Sequence, residues 1–318
     1  MTGSTPSFPG SHARLAVAIC THNPRRAFLE ETLAALRQQT VPPTEWDLLI
    51  VDNASSEPIS SWLDLSWHPC ARIEREETLG TAHARHHALA RCRDHELLLF
   101  VDDDNLLAPD YLAQGLRLGR EHPRLGCWGG QLIPRYETTP PSWLGPYEKY
   151  LAIWQFTDAA VSSTIDSYDL CPPSAGCFIR RVVRTRYLQM LAQDPRRLTL
   201  GAKGDVLVRG EDLDLVLTAI DLGCELGRFP ELKLIHCMPS VRLEVSYLAR
   251  LLEGTTCGTT LLEYLRSARK LVAPSLAGRL LMRWRTWRLP APYGAFYAAE
   301  LRGTRNAMKL IRQWEAAR

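Results

Sequence analysis

The residues most able to do chemistry in this sequence are three adjacent carboxylates, Asp102, Asp103 and Asp104. They follow an apolar run, residues 97–101, that has the length of a buried strand and is too short for a buried helix. Ligands of open α/β sheets bind at the carboxyl ends of strands, so this strand would present the acids at such a site. Adjacent carboxylates repel one another unless a cation or hydrogen-bond donors compensate them. Mg²⁺ and Mn²⁺ bind carboxylates and share their other positions with phosphates, so the run predicts a metal–diphosphate site, with a solvated acidic turn as the alternative.

Two earlier apolar runs predict further buried strands that end in polar residues. Residues 15–20 and 48–51 are apolar. The polar residues that follow them are Thr21, His22 and Asn23 after the first run, and Asp52 and Asn53 after the second. A β-α-β order implies right-handed crossovers and a mainly parallel sheet, so these ends and the acids would share one edge.

Helical patterns and breakers lie between and after these strands. Asn23 and Pro24 suit the N-cap and first position of a helix, and later helical patterns span 81–93, 109–121 and residues from Glu211 to about 223. The last of these helices has Glu211, Asp212 and Asp214 in its first turn, where the helix dipole favours acidic residues. Loops and short helices are predicted for the Pro- and Trp-rich residues 129–165. Beyond Pro239 the pattern is helical, with breaks expected at Gly254, Gly258, Pro274 and Pro290.

Bulk properties narrow the class of protein. A chain of 318 residues is long enough for one large α/β domain with an appendage, and its net charge is only +3. Nine cysteines without a C-x-x-C pair argue against a disulfide framework or a structural zinc site and favour a reducing compartment. Residues 1–10 are polar and Pro/Ser-rich, and no apolar run is long enough to span a bilayer. These features predict a cytoplasmic protein with a disordered leader at residues 1–13.

The charge is uneven along the chain. Residues 266–318 contain twelve Lys or Arg and two acids, whereas the preceding 265 residues contain 26 basic and 33 acidic residues. The tail mixes cations and aromatics, and two interpretations are open: a face that lies on an anionic membrane surface, or a helical element whose tryptophans cover the rest of the protein. We favour the second. The acidic body argues against nucleic-acid binding. The tail residues concerned are Arg279, Met282, Arg283, Trp284, Arg285, Trp287 and Arg288.

Taken in order, these landmarks resemble the family 2 glycosyltransferases of the GT-A fold. The matching segments are Thr21-His22-Asn23, residues 51–55, 79–85 and 100–104, Gly210-Glu211-Asp212, and the late His236. The resemblance covers about residues 15–240 and implies transfer of a sugar from a nucleotide-diphosphate sugar to an acceptor hydroxyl with inversion. It also implies a Rossmann-like α/β catalytic domain at 14–240 followed by a basic helical extension at 241–318. The opening lacks the family's usual Pro and Tyr, and Arg85-His86-His87 stands where Arg-Asn-Gly is usual, which leaves the nucleotide undefined.

The resemblance implies a role for each matching residue. Asp212 would be the general base, with Glu211 orienting the acceptor or a nearby loop, although both also suit a plain helix first turn. Asp104 and His236 would bind Mn²⁺ or Mg²⁺, and His236 is otherwise a core or surface histidine. The nucleotide-sugar would contact Thr21, His22, Asn23, Asp52, Gly80, Arg85, Asp102 and Asp103. The structural alternative is that Thr21 and Asp52 are turn residues at strand ends and that Arg85 is an exposed arginine on a helix.

Three functions remain open at this point. The preferred one is a metal-assisted inverting glycosyltransferase that acts on a glycan or lipid-linked acceptor in cell-surface polysaccharide or glycoconjugate assembly, cytoplasmic or peripheral at the inner face of the plasma membrane. The second is a haloacid-dehalogenase-like phosphohydrolase, which also places Asp-x-Asp after an apolar strand but usually near the N-terminus. The third is a nucleotide-sugar-binding subunit without turnover, against which the intact acid pairs argue.

Overall fold

The computed structural model describes residues 14–164, 170–204, 206–267, 282 and 284–317. The predicted leader, the expected break at Pro274, and Arg279 and Arg283 of the tail lie outside these ranges. Among the described residues, no helix combines the length and the apolar character needed to cross a bilayer.

A single mixed sheet forms the centre of the described structure. Its strands in chain order are β1 (Leu15–Thr21), β2 (Trp46–Asn53), β3 (Ala71–Glu76), β4 (Leu97–Val101), β5 (Asn105–Leu107), β6 (Leu125–Tyr136), β7 (Ala160–Ser162), β8 (Cys177–Arg180) and β9 (Glu225–Met238). The spatial order is β3-β2-β1-β4-β8-β6-β9-β5, and β7 pairs with β9.

Helices flank this sheet and follow it. They are α1 (Arg26–Arg37), α2 (Thr81–Arg91), α3 (Tyr111–Glu121), α4 (Arg181–Gln193), α5 (Glu211–Asp221), α6 (Val245–Ser267) and α7 (Tyr293–Ala316). The predicted α/β fold with flanking helices is therefore confirmed.

The parallel pairing that the sequence predicts holds for the first half of the sheet. Strands β3, β2, β1 and β4 are parallel neighbours, which brings their carboxyl ends to one edge. Further along, β8 is antiparallel to both β4 and β6, while β9 is parallel to β6 and antiparallel to β5. The sequence analysis did not predict the antiparallel direction of this pairing, because the packing of distant segments rather than local periodicity sets it.

Strand β4 shows why an uninterrupted apolar run was needed at the centre. All five of its residues are buried. Leu97, Leu99 and Val101 join one apolar cluster with α1 and α3, whereas Leu98 and Phe100 join a second cluster with α2, α4 and α5. Side chains alternate between the two faces of a strand, so a strand covered on both faces must be apolar at every position.

Two local predictions are wrong. Helix α1 begins at Arg26, and no side chain caps it. Asn23 instead adopts φ 48° and accepts hydrogen bonds from the backbone and hydroxyl of Ser56, so it closes a turn rather than a helix end.

Residues 129–136, predicted as loop or short helix, continue strand β6 because they pair with β9.

The expected helix breaks at Gly254 and Gly258 are also wrong, because both glycines lie inside α6. A Cβ on Gly254 would lie 1.9 Å from the Leu207 carbonyl oxygen, and one on Gly258 would lie 2.0 Å from that of Arg209. The glycines thus let the backbone of residues 207–209 pack directly against the helix. This contact fixes a loop that borders the cleft described below.

The two long C-terminal helices, α6 and α7, pack on each other. Phe296, Ala299, Ala307 and Ile311 of α7 are buried in apolar clusters that include α6. The tail tryptophans behave differently: Trp284 is 51% exposed and Trp287 is 82% exposed. The interpretation that these tryptophans cover the rest of the protein is therefore wrong.

His68 is a buried histidine next to Trp46, the first residue of β2, so it lies at the opposite end of that strand from Asp52. Its ring meets the Trp46 ring edge-on, with centroids 4.3 Å apart, and its Nδ1 accepts a hydrogen bond from the Cys70 N–H. Burial lowers the pKa of His68 to about 4, although the Asp47 carboxylate acts in the other direction. The neutral ring is therefore the form that the fold accommodates.

Candidate functional site

A cleft of about 360 Å³ lies at the carboxyl edge of the parallel strands and gathers most of the predicted residues. Three others, Asn23, Asp52 and Gly80, do not line it. The predicted residues that line this cleft are Thr21, His22, Arg85, Asp102, Asp103, Asp104, Glu211, Asp212 and His236.

The register of β1 and β4 brings Thr21 to Asp103. Ile19 pairs with Val101 in this parallel ladder, so the chain positions two residues further on are Thr21 and Asp103. The Thr21 hydroxyl donates a hydrogen bond to the Asp103 carboxylate. Burial and the neighbouring Asp104 charge nevertheless raise the pKa of Asp103 above its usual range.

The antiparallel pairing of β5 with β9 brings His236 to Asp104. Asn105 pairs with His236, and the Cys237 N–H donates to the Asp104 carbonyl oxygen at 2.8 Å. The Nε2 atom of His236 lies 3.5 Å from Oδ1 of Asp104. The chain segment just after β9 adds Arg242, whose Nη2 lies 2.8 Å from Oδ2 of Asp104. Burial opposes ionisation of Asp104, but Arg242 and His236 together outweigh burial, and the pKa of Asp104 falls below its usual range.

Arg85 and Glu211 form a buried pair on the other side of the cleft. The Arg85 Nη1 donates to Glu211 Oε1 at 2.5 Å, and its Nη2 donates to the Ser174 hydroxyl at 2.6 Å. Its Nη2 also lies 3.6 Å from Asp102 Oδ1. Burial raises the pKa of Glu211, with Arg85 acting in the opposite direction. Arg85 is thus held between two acids rather than exposed on its helix.

Asp212 differs from Glu211 in its surroundings. It is the second residue of α5, and its Oδ1 accepts the Leu213 N–H at 2.8 Å. Asp212 borders both the cleft and a second groove, which is lined by Lys149, Tyr150, Trp154 and Arg209 among others. This carboxylate therefore lies where the cleft and the second groove meet.

Asp52 is buried beneath the cleft edge, with 2% of its surface exposed. Its Oδ1 accepts the Ser55 N–H, and its Oδ2 accepts the Ile59 N–H and the Arg75 guanidinium at 2.9 Å. Burial acts to raise the pKa of Asp52, but these hydrogen bonds and Arg75 lower it overall. The carboxylate therefore holds the loop that follows β2.

Gly80 and His22 shape the cleft edge through backbone contacts. Gly80 has φ 143°, a conformation that favours glycine, and its N–H donates to Asn53 Oδ1 at 2.8 Å where α2 begins. His22 Nδ1 donates to the Asn53 carbonyl oxygen at 2.7 Å. Asn53 thus links the ends of β1 and β2 to the start of α2.

The residues present do not fit a resident divalent cation in this arrangement. Within the described ranges, no group of three or more His, Cys, Asp or Glu side chains is placed to hold a metal ion. The two predicted ligands, Asp104 and His236, are both engaged by Arg242, whose Nη1 lies 2.9 Å from His236 Nε2. A metal on these two atoms would require Arg242 to move.

Comparison with known proteins identifies the kind of enzyme. The sequence profile of glycosyl transferase family 2 matches residues 16–180, which is more than half of the chain. The chain belongs to glycosyl transferase family 2. It is a glycosyltransferase, and the predicted family is confirmed. Among curated protein sequences, none matches this glycosyltransferase.

Solved structures support the GT-A fold of this glycosyltransferase. The structure of S. aureus TarS residues 1–349 is 14% identical with a TM-score of 0.52, and the match covers 94% of this chain and 91% of that one. The same TarS fragment in complex with UDP-GlcNAc also has a TM-score of 0.52 at 14% identity, covering 94% and 92%. In a longer TarS structure, the match covers 93% of this chain but 55% of that chain.

Sequence reasoning missed several residues of the glycosyltransferase cleft. Arg242 follows β9 in a short 3₁₀ turn, Ser240–Leu243, and Ser174 lies in the loop before β8. Neither has a periodic or motif signal. The only hint of Arg242 was its position six residues after His236, within one short turn of the strand end.

Proposed function

We propose that this glycosyltransferase moves a sugar from a nucleotide-diphosphate sugar to an acceptor hydroxyl with inversion at the anomeric carbon. The observation that carries the proposal is that the acids after β4 and Asp212 at the start of α5 line one cleft. A donor site and a base that share one space are what a direct displacement requires. UDP-linked sugars are the first donors to test, because TarS was solved with UDP-GlcNAc.

Asp212 would accept the proton of the acceptor hydroxyl as its oxygen attacks the anomeric carbon. The bond from that carbon to the diphosphate oxygen breaks on the opposite face, so the configuration inverts. The groove lined by Tyr150, Trp154 and Arg209 would hold the acceptor, since it meets the cleft at Asp212. Aromatic and cationic side chains suit a glycan or a lipid-linked phosphate as the acceptor.

Glu211 would act as a positioning residue. It is buried, and its carboxylate accepts from Arg85 and from the Thr81 hydroxyl. These contacts fix α5 against α2 and so set where Asp212 stands. Arg85, held by Glu211 and near Asp102, would set the shape of the donor side.

The predicted metal assistance by Mn²⁺ or Mg²⁺ would require Arg242 to leave Asp104 and His236, so no step of the proposed reaction depends on a metal. Family membership argues against the phosphohydrolase alternative, whereas a subunit without turnover is excluded only by measuring transfer. A role in cell-surface polysaccharide or glycoconjugate assembly, and a cytoplasmic location at the membrane, are also proposals.

The exposed Trp284 and Trp287 support contact with an anionic membrane surface. The protein should co-sediment with anionic vesicles, and changing both tryptophans to Ala should reduce this binding. Neither the wild type nor the variant should co-sediment with neutral vesicles.

The direct test of the donor site is a thermal-shift screen of UDP-, GDP-, dTDP- and CMP-linked sugars. A ligand that binds only the folded protein raises its melting temperature by mass action. We expect one nucleotide class to raise the melting temperature. If no donor produces a shift in protein that unfolds cooperatively, the proposed donor site is wrong.

A further inference from the structure

Each carboxylate of the triplet has its own compensating partner within the protein. Asp102 lies 3.6 Å from the Arg85 guanidinium, Asp103 accepts from the Thr21 hydroxyl, and Asp104 pairs with Arg242 at 2.8 Å. The repulsion among the three acids, which suggested a bound metal from the sequence, is therefore balanced by two arginines and a hydroxyl.

Arg242 lies where a cation shared by Asp104 and His236 would lie. Its Nη2 contacts Asp104 Oδ2 at 2.8 Å, and its Nη1 lies 2.9 Å from His236 Nε2. A guanidinium has only donors, so His236 Nε2 must be the acceptor, and its lone pair is the one a metal would need. The proton is then on Nδ1, which is buried without a hydrogen-bond partner among the described residues.

The backbone holds Arg242 in place while leaving part of its side chain accessible. Its N–H donates to the Pro239 carbonyl oxygen at 2.9 Å in the turn after β9. The side chain is 26% exposed and lines the cleft, whereas the Asp104 side chain is only 5% exposed. Two guanidinium nitrogens are engaged, and further N–H donors remain for an anion in the cleft.

We propose that Arg242 supplies the positive charge that faces the donor diphosphate, so donor binding does not require a divalent cation. This inference rests on the proposed function, because it needs a diphosphate in the cleft. The guanidinium balances Asp104 before the donor arrives and directs N–H groups at the phosphate oxygens when it is bound. A planar fork of donors matches phosphate geometry well.

The test is calorimetric titration of UDP, or of the nucleoside diphosphate chosen by the donor screen, into protein in EDTA and in Mn²⁺. We expect wild-type affinities within about threefold of each other in the two buffers. Arg242→Gln should weaken binding in EDTA by about ten- to a hundredfold, the range for losing a charge-assisted hydrogen bond. Arg302→Gln, which removes an exposed arginine of α7, is the matched control and should bind like the wild type.

Arg242→Gln leaves Asp104 buried and unpaired, so the double variant Asp104→Asn, Arg242→Gln provides a second measurement. The double variant removes both charges, so it should fold, but it should still bind the nucleoside diphosphate only weakly. Wild-type binding that disappears in EDTA and returns with Mn²⁺ would overturn the inference and leave the proposed function intact. Unchanged affinity in folded Arg242→Gln would also overturn it. Binding in neither buffer would contradict both the inference and the proposed function.

Discussion

The Nη1 atom of Arg85 lies 2.5 Å from Oε1 of Glu211, which ties α2 to the first turn of α5 at one side of the cleft. Both side chains are largely buried, with 15% and 9% of their surfaces exposed. The two residues were predicted to serve different substrates, one the donor and one the acceptor. Their pairing makes them a single structural unit that places Asp212.

Glu211→Gln should therefore lower the free energy of unfolding, by about 3 kcal/mol, because it removes one partner of a buried ion pair. The double variant Arg85→Met, Glu211→Gln should recover part of this loss, since no buried charge is then left alone. A double-mutant cycle in urea measures the coupling. The exposed pair Arg26–Glu57 is the matched control and should show a coupling below about 1 kcal/mol. Equal coupling energies for the two pairs would contradict the assignment.

Asp52→Ala should destabilise the protein by about 3 kcal/mol, because it leaves the buried N–H groups of Ser55 and Ile59 without an acceptor. Asp64→Ala is the control: that exposed carboxylate accepts from Ser66 in a nearby turn, and its loss should cost less than about 1 kcal/mol. Denaturant unfolding measures both. An Asp52→Ala variant of normal stability that loses donor affinity would instead assign Asp52 to the nucleobase, as the resemblance implies.

His68 should make stability fall in mild acid. Its folded pKa of about 4 lies below its usual 6.5, so its contribution is present above pH 6.5 and is lost as the pH falls toward 4. At pH 5 the loss should be on the order of 2 kcal/mol relative to pH 8. His68→Phe, which cannot titrate, should lack this component. Urea unfolding of both proteins between pH 8 and pH 5 gives the difference, and parallel curves would show that His68 does not contribute.

Much of the donor side of the cleft was predictable because it depends on local patterns and on one rule of topology. Apolar runs located β1, β2 and β4, and parallel pairing was expected to bring Thr21 and the acids to one edge, where Thr21 contacts Asp103. Helix starts after Gly80 and Gly210 also followed from residue type. The closeness of His236 to Asp104 came only from the family resemblance, since it depends on an antiparallel pairing between distant segments.

The remaining contacts join residues that are far apart in sequence, and no spacing or motif in the sequence predicts that they meet. Arg85 and Glu211 are 126 positions apart. The turn that carries Arg242 back to Asp104 is anchored by Leu243, which packs in an apolar cluster with residues of α6, and no periodicity in the sequence predicts this contact. The helical glycines at 254 and 258 look like breakers in sequence, yet they are required by the backbone packed against them.

The rate of nucleoside diphosphate release from the selected donor, with water or glycerol as the acceptor, tests the central claim most directly. Asp212→Asn should retain donor affinity and lower the single-turnover rate by about 10²- to 10⁴-fold, the usual contribution of a general base. Asp221→Asn, at the far end of the same helix, should react like the wild type. A rate for Asp212→Asn within a few-fold of the wild type would contradict the assignment of Asp212 as the base that activates the acceptor.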